Sequence, residues 1–373
     1  MKWLWGILCL FFLILFHEFG HFIAAKVFGV KVESFSIGFG PVLFHKLLRG
    51  TDFRFSLIPL GGYCGMKGEK DFSEALQNNS PIINASKDSL YGIHPIKRAL
   101  IGFAGPFFNF LFAVIAFSII SQIGYSYYTY SSKIILSTDI NPEYVSPAKE
   151  GGLLSGDTIL SINGKKINNF SDIIEEISIR PNENIDICVN RNDEIKNFTI
   201  RSSFDKESGS GKIGITADTK NLLKIDSERY IFPISIFHGF SETFTSIYKI
   251  FKSIKILFMG VKIQNAVSGP ARVTDILGST ISESFSVGIR EGFVNMLNLM
   301  AFISISLCIM NLLPIPILDG GLILIALIEF VSKRKIAPKI QYYLQFIGII
   351  FIVIIFCIGL FGDISYFINK PRF

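Results

Sequence analysis

His17-Glu18-Phe19-Gly20-His21 decides the reading of this chain, because the five residues sit inside an apolar segment. The run from Trp3 to Phe16 is almost wholly hydrophobic, and it resumes at Phe22-Ile23-Ala24-Ala25. Two imidazoles and a carboxylate in hydrocarbon are expensive, so polar groups there are candidates for function. On a helix His17 and His21 stand at i and i+4, face one way, and can share one metal ion. Glu18 is placed to take a proton from a water activated there. The competing reading is a pair of buried, satisfied histidines, and the apolar surroundings weigh against it.

Composition points to a membrane protein. Half of the 373 residues are hydrophobic, 37 are Phe, and 18% are charged, below the quarter usual for soluble domains. The length leaves room for a membrane body and one soluble domain. The net charge of +6 comes without a basic, aromatic-interleaved stripe, so nucleic acid is not the expected partner; excess Lys and Arg suits loops facing anionic lipid. Cys9, Cys308 and Cys357 lie in apolar runs, with Cys64 and Cys188 elsewhere. No CxxC spacing occurs, which argues against a disulfide framework and a thiolate metal site. Lys2 and the apolar run imitate a signal peptide, but the run is too long and no A-x-A site follows it, so it is expected to be retained.

Four segments, near 3–25, 99–123, 292–313 and 342–362, are long and apolar enough to enter a bilayer. The third runs into Asn311-Leu312-Leu313-Pro314-Ile315-Pro316 and then another apolar stretch to about Phe330. Two prolines one residue apart break a helix, and irregular backbone at membrane depth is tolerated only against protein or a cavity. Residues 232–260 are apolar but interrupted by Glu242, Lys249, Lys252 and Lys255, as in an amphipathic helix on the membrane surface.

Basic residues set the expected orientation. The 26–98 loop and the loop carrying Lys333, Arg334, Lys335 and Lys339 are rich in them, which places both in the cytoplasm. Four spans then put the N-terminus, the 125–290 region and the C-terminus outside. His17 comes about 21 Å along a helix from Trp3, in the cytoplasmic third of a ~30 Å core.

Residues 31–63 show period-2 alternation, with Phe35, Ile37 and Phe39, then Phe53, Phe55 and Leu57, punctuated by Gly38 to Pro41 and Pro59 to Gly62. They are expected to form strands. Such a sheet either presents an edge to an extended substrate or is a plain structural hairpin. Residues 68–92 are polar and expected to be a flexible loop. Residues 133–217 read as a separate soluble domain of short β-rich runs, with a turn at Asn163-Gly164 and a helix from Ser171 to Ile179 that has Ser171 as its N-cap.

A catalytic zinc site takes three protein ligands and leaves one position open. No histidine follows His21 at the spacing that would extend the motif. Asp319, in Pro316-Ile317-Leu318-Asp319-Gly320-Gly321, is an acid in an apolar stretch on the same side as His17. It reads either as the third ligand or as an N-cap after the break. The presence of the histidine pair favours the ligand.

Together these residues resemble the site-2 protease family of intramembrane zinc metalloproteases, over nearly the whole chain. HExxH stands as His17-Glu18-Phe19-Gly20-His21, and NxxPxPxLDG runs intact from Asn311 to Gly320. Gly102-Phe103-Ala104-Gly105-Pro106-Phe107-Phe108-Asn109 is similar to the family's Gly-rich segment ending in Asn. Ser146-Pro147-Ala148, Gly152-Leu153, Gly156-Asp157 and Ile162-Asn163-Gly164 resemble a PDZ domain, and Val267-Ser268-Gly269-Pro270 a segment that follows it in bacterial members. One PDZ-like segment is present where some members carry two.

The resemblance implies an α-helical polytopic membrane protein with about four transmembrane helices. A small membrane-associated β-hairpin and an inserted α+β PDZ-like domain complete it. The expected division is 1–124 for helices 1 and 2 with the strands, and 125–220 for the extracytoplasmic PDZ-like domain. An amphipathic region follows at 221–290, then helices 3 and 4 at 291–373. The implied function is zinc-dependent cleavage of single transmembrane segments in the cytoplasmic membrane, such as anti-sigma factors or remnant signal peptides. Zn²⁺ would sit on His17, His21 and Asp319, with Glu18 catalytic. Asn109 and Asn311 would support substrate or oxyanion. The donor set also suits other divalent metals. Two alternatives are a non-catalytic metal-binding scaffold whose PDZ-like domain binds peptides, and a metal transporter. The scaffold predicts that Glu18 is dispensable. The transporter needs ligands in both halves of the membrane and a repeat that the sequence lacks.

Overall fold

The computed structural model describes residues 2–144, 146–206, 208–220, 222–257 and 269–369. Val267 and Ser268, and residues 258–260 of the amphipathic segment, lie outside the described residues. The chain divides into two compact units. One comprises Met1–Ile123, Tyr230–Ser246 and Gly269–Phe373, the other Gly124–Arg229 and Ile247–Ser268.

The first unit is helical with one long hairpin. α1 (Lys2–Val27) leads into β1 (Val32–Leu48) and β2 (Thr51–Met66), followed by α2 (Glu69–Gln77) and α3 (Pro95–Ile123). Four described helices are long and apolar enough to cross a membrane: Trp3–Val27, Pro95–Ile123, Ile289–Asn311 and Pro338–Ile368. Their ends fall within six residues of those of the four expected segments. The strands are longer than the alternation suggested. Polar Ser34, Ser36 and Thr51 are buried in the hairpin, Thr51 beside its turn, while Phe44 and Leu47 are exposed. Residues 68–92 are not a featureless loop. α2 buries Ala75, Ile83 and Ser89 are buried, and Lys67 holds Asp88 at 2.8 Å. The segment looks polar because much of its order comes from hydrogen bonds rather than an apolar stripe.

The second unit contains β3 (Ser126–Tyr130), β4 (Ile134–Leu136), α4 (Ser137–Ile140), α5 (Pro147–Glu150), β5 (Thr158–Ile162), β6 (Lys165–Lys166), α6 (Phe170–Ser178), β7 (Asn184–Arg191) and β8 (Glu194–Arg201). The pieces β9 (Ser203–Asp205), β10 (Ser210–Lys212), β11 (Ile215–Ala217) and β12 (Leu222–Asp226) follow. Its main sheet runs β6-β5-β7-β8, all antiparallel. The core beneath is isoleucine-rich, with Ile159, Ile162, Ile185 and Ile187 from the strands and Ile173 and Ile177 from α6. Asn163 (φ 48°) and Gly164 (φ 78°) make the expected tight turn, both left-handed as its twist requires. The helix cap differs from the expected Ser171. Asn169 is the N-cap, its side chain accepting from the Asp172 amide at 3.1 Å, while Ser171 pairs with Thr129. Both residue types cap well, and the contact with β3 decided between them.

The chain then forms α7 (Ile234–Leu257), α8 (Pro270–Val287), α9 (Ile289–Asn311), α10 (Asp319–Ser332) and α11 (Pro338–Asn369). The first part of α7 packs on α3 through Phe240 and Phe244 against Phe110. At 14 residues, α10 is too short to span a bilayer.

Candidate metal centre

Three elements build the site. α1 supplies His17, Glu18 and His21; α3 crosses it at Gly105; α10 begins with Asp319. The α3 crossing needs a residue without a side chain. A Cβ at Gly105 would stand 2.3 Å from His21 Nε2 and 2.7 Å from His17 Nε2. Asp319 is brought in by the proline break. Leu318 is the helix N-cap residue, and Asp319 opens the first turn with its carboxylate turned to the histidines. The break carries strain: Ile317 has φ 102°, a left-handed conformation that a β-branched residue rarely adopts. Gly320 is required for the fold-back, since a Cβ there would meet the Leu313 carbonyl oxygen at 2.1 Å.

The donors gather closely. His17 Nε2 lies 3.1 Å from Asp319 Oδ2, His21 Nε2 lies 3.3 Å from Asp319 Oδ1, and the two Nε2 atoms are 3.2 Å apart. Both histidines are buried. One ligand atom from each of the three residues falls within 4.8 Å of the others. His21 Nδ1 lies 2.8 Å from the Ile101 carbonyl oxygen, which can only accept, so Nδ1 carries the proton and Nε2 offers a lone pair. His17 Nδ1 lies 3.1 Å from the Asn109 carboxamide nitrogen, and Asn109 Oδ1 has no partner. Carboxamide nitrogen and oxygen are assigned from the hydrogen-bond network. Turned over, the amide would accept from a protonated His17 Nδ1 through Oδ1, satisfying the orphaned oxygen and freeing His17 Nε2.

Two imidazole lone pairs and a carboxylate then face one point with no proton among them. Asp319 Oδ2 is buried and makes no hydrogen bond. Such a cluster of acceptors is repulsive unless a cation stands between them, so the residues fit a divalent metal. The nitrogen and oxygen donors suit zinc, with no thiolate among them. Cys64, nearby on β2, is not part of this donor group.

Glu18 lies beside the donors and is held by the Cys64 backbone, whose N–H donates to Oε2 at 3.1 Å. Residues including His17, Glu18, Tyr63, Asn109, Asn311 and Asp319 line a cavity of about 370 Å³. The structure thus brings together all the residues singled out from sequence, though Asn109 is fully buried, engages His17, and takes the Ser304 hydroxyl on its backbone oxygen. The Ile101 carbonyl and the Cys64 amide were invisible beforehand, since every residue carries a backbone carbonyl and nearly all an amide. Gly105 had a signal, the Gly-rich segment before Asn109.

Glu329 is a buried acid whose role the sequence does not reveal. Its place near the end of an apolar stretch suggests a carboxylate reaching for the interface, but it is buried and paired with Arg98 of α3. His45 is exposed beside Asp52, while His94 and His238 pack on Phe330 and Tyr230.

Two nitrogen donors on a bilayer-length apolar helix, an aspartate oxygen from a short neighbouring helix and a glutamate beside them define a zinc metalloendopeptidase among membrane proteins. Comparison with known proteins agrees. The chain belongs to peptidase family M50, the site-2 protease family, whose model matches residues 5–355. It is 32% identical to a protein of Treponema pallidum named as a zinc metalloprotease, covering 97% of this chain and 98% of that one. Similarly named proteins of Campylobacter jejuni (34% identical, 99% and 95% covered) and Helicobacter pylori strain J99 (35%, 96% and 98%) match along their length.

Proposed function

We propose that the protein cleaves single transmembrane segments within the membrane, in the manner of regulated intramembrane proteolysis. Anti-sigma factors and remnant signal peptides are the expected substrate classes. The observation that carries this reading is the position of the donors: His17 and His21 lie in the C-terminal half of α1, a candidate span, and are buried against α3, another. A peptide bond reaching them must enter at membrane depth.

His17, His21 and Asp319 would hold zinc, which when bound supplies Lewis acidity toward water and the scissile carbonyl. Glu18 accepts the proton from the attacking water and returns it to the leaving amine. Asn311 lines the cavity, where its amide can bond an unwound substrate backbone or a developing oxyanion. Asn109 acts from behind, through the His17 ring.

A helical substrate must unwind before cleavage, because its carbonyls are already bonded. The strand β2 offers replacement bonds. Cys64 turns its N–H away from β1 and toward Glu18, so this edge of β2 faces the cavity, where an extended peptide could add as a strand. The second unit, with its four-stranded sheet and α6, serves as an extracytoplasmic PDZ-like filter that screens substrates by size or prior trimming. The basic loops place the metal centre toward the cytoplasmic side.

The test is cleavage of a panel of tagged single-span proteins by purified protein in detergent, wild type against Glu18→Gln, with metal measured on both. Cleavage lost while about one zinc per chain is retained supports the assignment. Full cleavage by Glu18→Gln, or a folded wild type that binds no metal, would sink it.

A further inference from the structure

A second cavity, sharing no lining residue with the metal centre, opens where α1 ends. It measures about 530 Å³ and is lined by Phe22, Lys26, Leu48, Arg49, Thr51 and Phe53. Its walls are apolar: the Phe22 and Phe53 rings meet at 5.7 Å, and Leu48 is exposed. Its rim carries two cations. Lys26 donates to Thr51 Oγ1 at 2.9 Å, and that buried hydroxyl passes its own proton to the Val32 carbonyl at 2.9 Å. The ammonium has three donors, and Thr51 takes one. Among the described residues neither Lys26 nor Arg49 has an acidic partner. Asp52, the acid nearest Arg49 in sequence, is taken by His45 and Arg54.

Arg49 is unusual for its place. Leu48 pairs with Thr51, so Arg49 and Gly50 form a two-residue turn with φ 48° and 79°. The first position of such a turn favours Asn, Asp or Gly, and a long side chain there carries backbone strain. A ligand held by the guanidinium would offset that strain. Lys26 lies at the end of the candidate span Trp3–Val27, the depth at which lipid phosphates lie. Val27, Phe44 and Leu47 nearby in the chain are largely exposed.

We propose that this cavity binds an anionic phospholipid. The phosphate sits between Lys26 and Arg49, and the acyl chains run along Phe22, Leu48 and Phe53. Charge complementarity selects the headgroup and the aromatic wall selects the chains, so a free phosphate satisfies half of the site. Binding here requires neither zinc nor proteolysis.

The test uses the purified full-length protein in vesicles of phosphatidylcholine alone or with phosphatidylglycerol. Co-purifying lipid is counted by native mass spectrometry for wild type, Lys26→Met and Arg49→Asn. Phosphatidylglycerol should be retained over phosphatidylcholine, each substitution should weaken its retention about fivefold, and soluble glycerol phosphate should not displace it. Arg49→Asn suits the turn, so it decides the matter even if Lys26→Met loosens the hairpin. Equal retention of both lipids, undiminished retention by Arg49→Asn, or displacement by glycerol phosphate would overturn the proposal.

Discussion

Arg98 and Glu329, 231 residues apart in the chain, form a buried ion pair that ties α3 to α10. Glu329 also accepts the Ile336 amide at 2.9 Å, and Arg98 lies over the Tyr91 ring at 5.7 Å. α3 carries Gly105 and Asn109, and α10 carries Asp319, so the pair fixes the register of the two elements that meet the HExxH helix. Removing one partner leaves a buried charge unmatched. Glu329→Gln should lower the unfolding free energy by about 3–5 kcal/mol and reduce zinc occupancy. The double replacement Arg98→Met with Glu329→Met should recover much of the stability. Thermal unfolding in detergent and metal analysis check both.

Gly105→Ala is the sharpest steric test of the centre. A methyl would enter the space between the two imidazoles, and a misplacement of about 1 Å costs on the order of 10²-fold in rate. Loss of both zinc and cleavage is expected, with secondary structure by circular dichroism unchanged.

Asn109→Ala removes the partner of His17 Nδ1 while leaving all three candidate ligands in place. Outer partners of metal-binding histidines are worth about 10–100-fold in metal affinity. Zinc should therefore be lost at lower chelator concentrations than from wild type. Unchanged chelator sensitivity would return Asn109 to a purely substrate-facing role.

The second unit carries a pH-sensitive contact. Burial opposes ionisation of Glu176, but hydrogen bonds from Lys165 at 2.6 Å and Arg180 at 2.5 Å prevail and hold its carboxyl below the usual range. A depressed carboxyl contributes stability that is present above its unfolded value of about 4.3 and lost as pH falls through its folded value. Thermal stability of this unit should therefore drop on acidification below about pH 4.3, and Glu176→Gln should flatten that drop. Unfolding monitored across a pH series reads the difference.

Much of the centre was legible in the chain, for a physical reason. The i, i+4 spacing of His17 and His21 is a property of one helix, so it needs no tertiary information. The four apolar runs likewise report local length and composition, which settle whether a segment can bury its backbone in lipid. The alternation around Phe35 and Phe53 announced strands because side-chain direction alternates along any strand. Asp319 was legible as an acid out of place, beside two prolines that forced a break.

Tertiary structure decided what depends on partners distant in sequence. Ser171 and Asn169 are comparable caps, and the packing of α6 on β3 chose Asn169. Glu329 carries the same residue type whether it reaches for water or meets Arg98, and only the approach of α3 to α10 selects the pair. The tautomer of His21 follows from the Ile101 carbonyl, and the placement of Glu18 from the Cys64 amide. Backbone groups are the same at nearly every position, so no pattern of side chains can reveal which of them a fold will use.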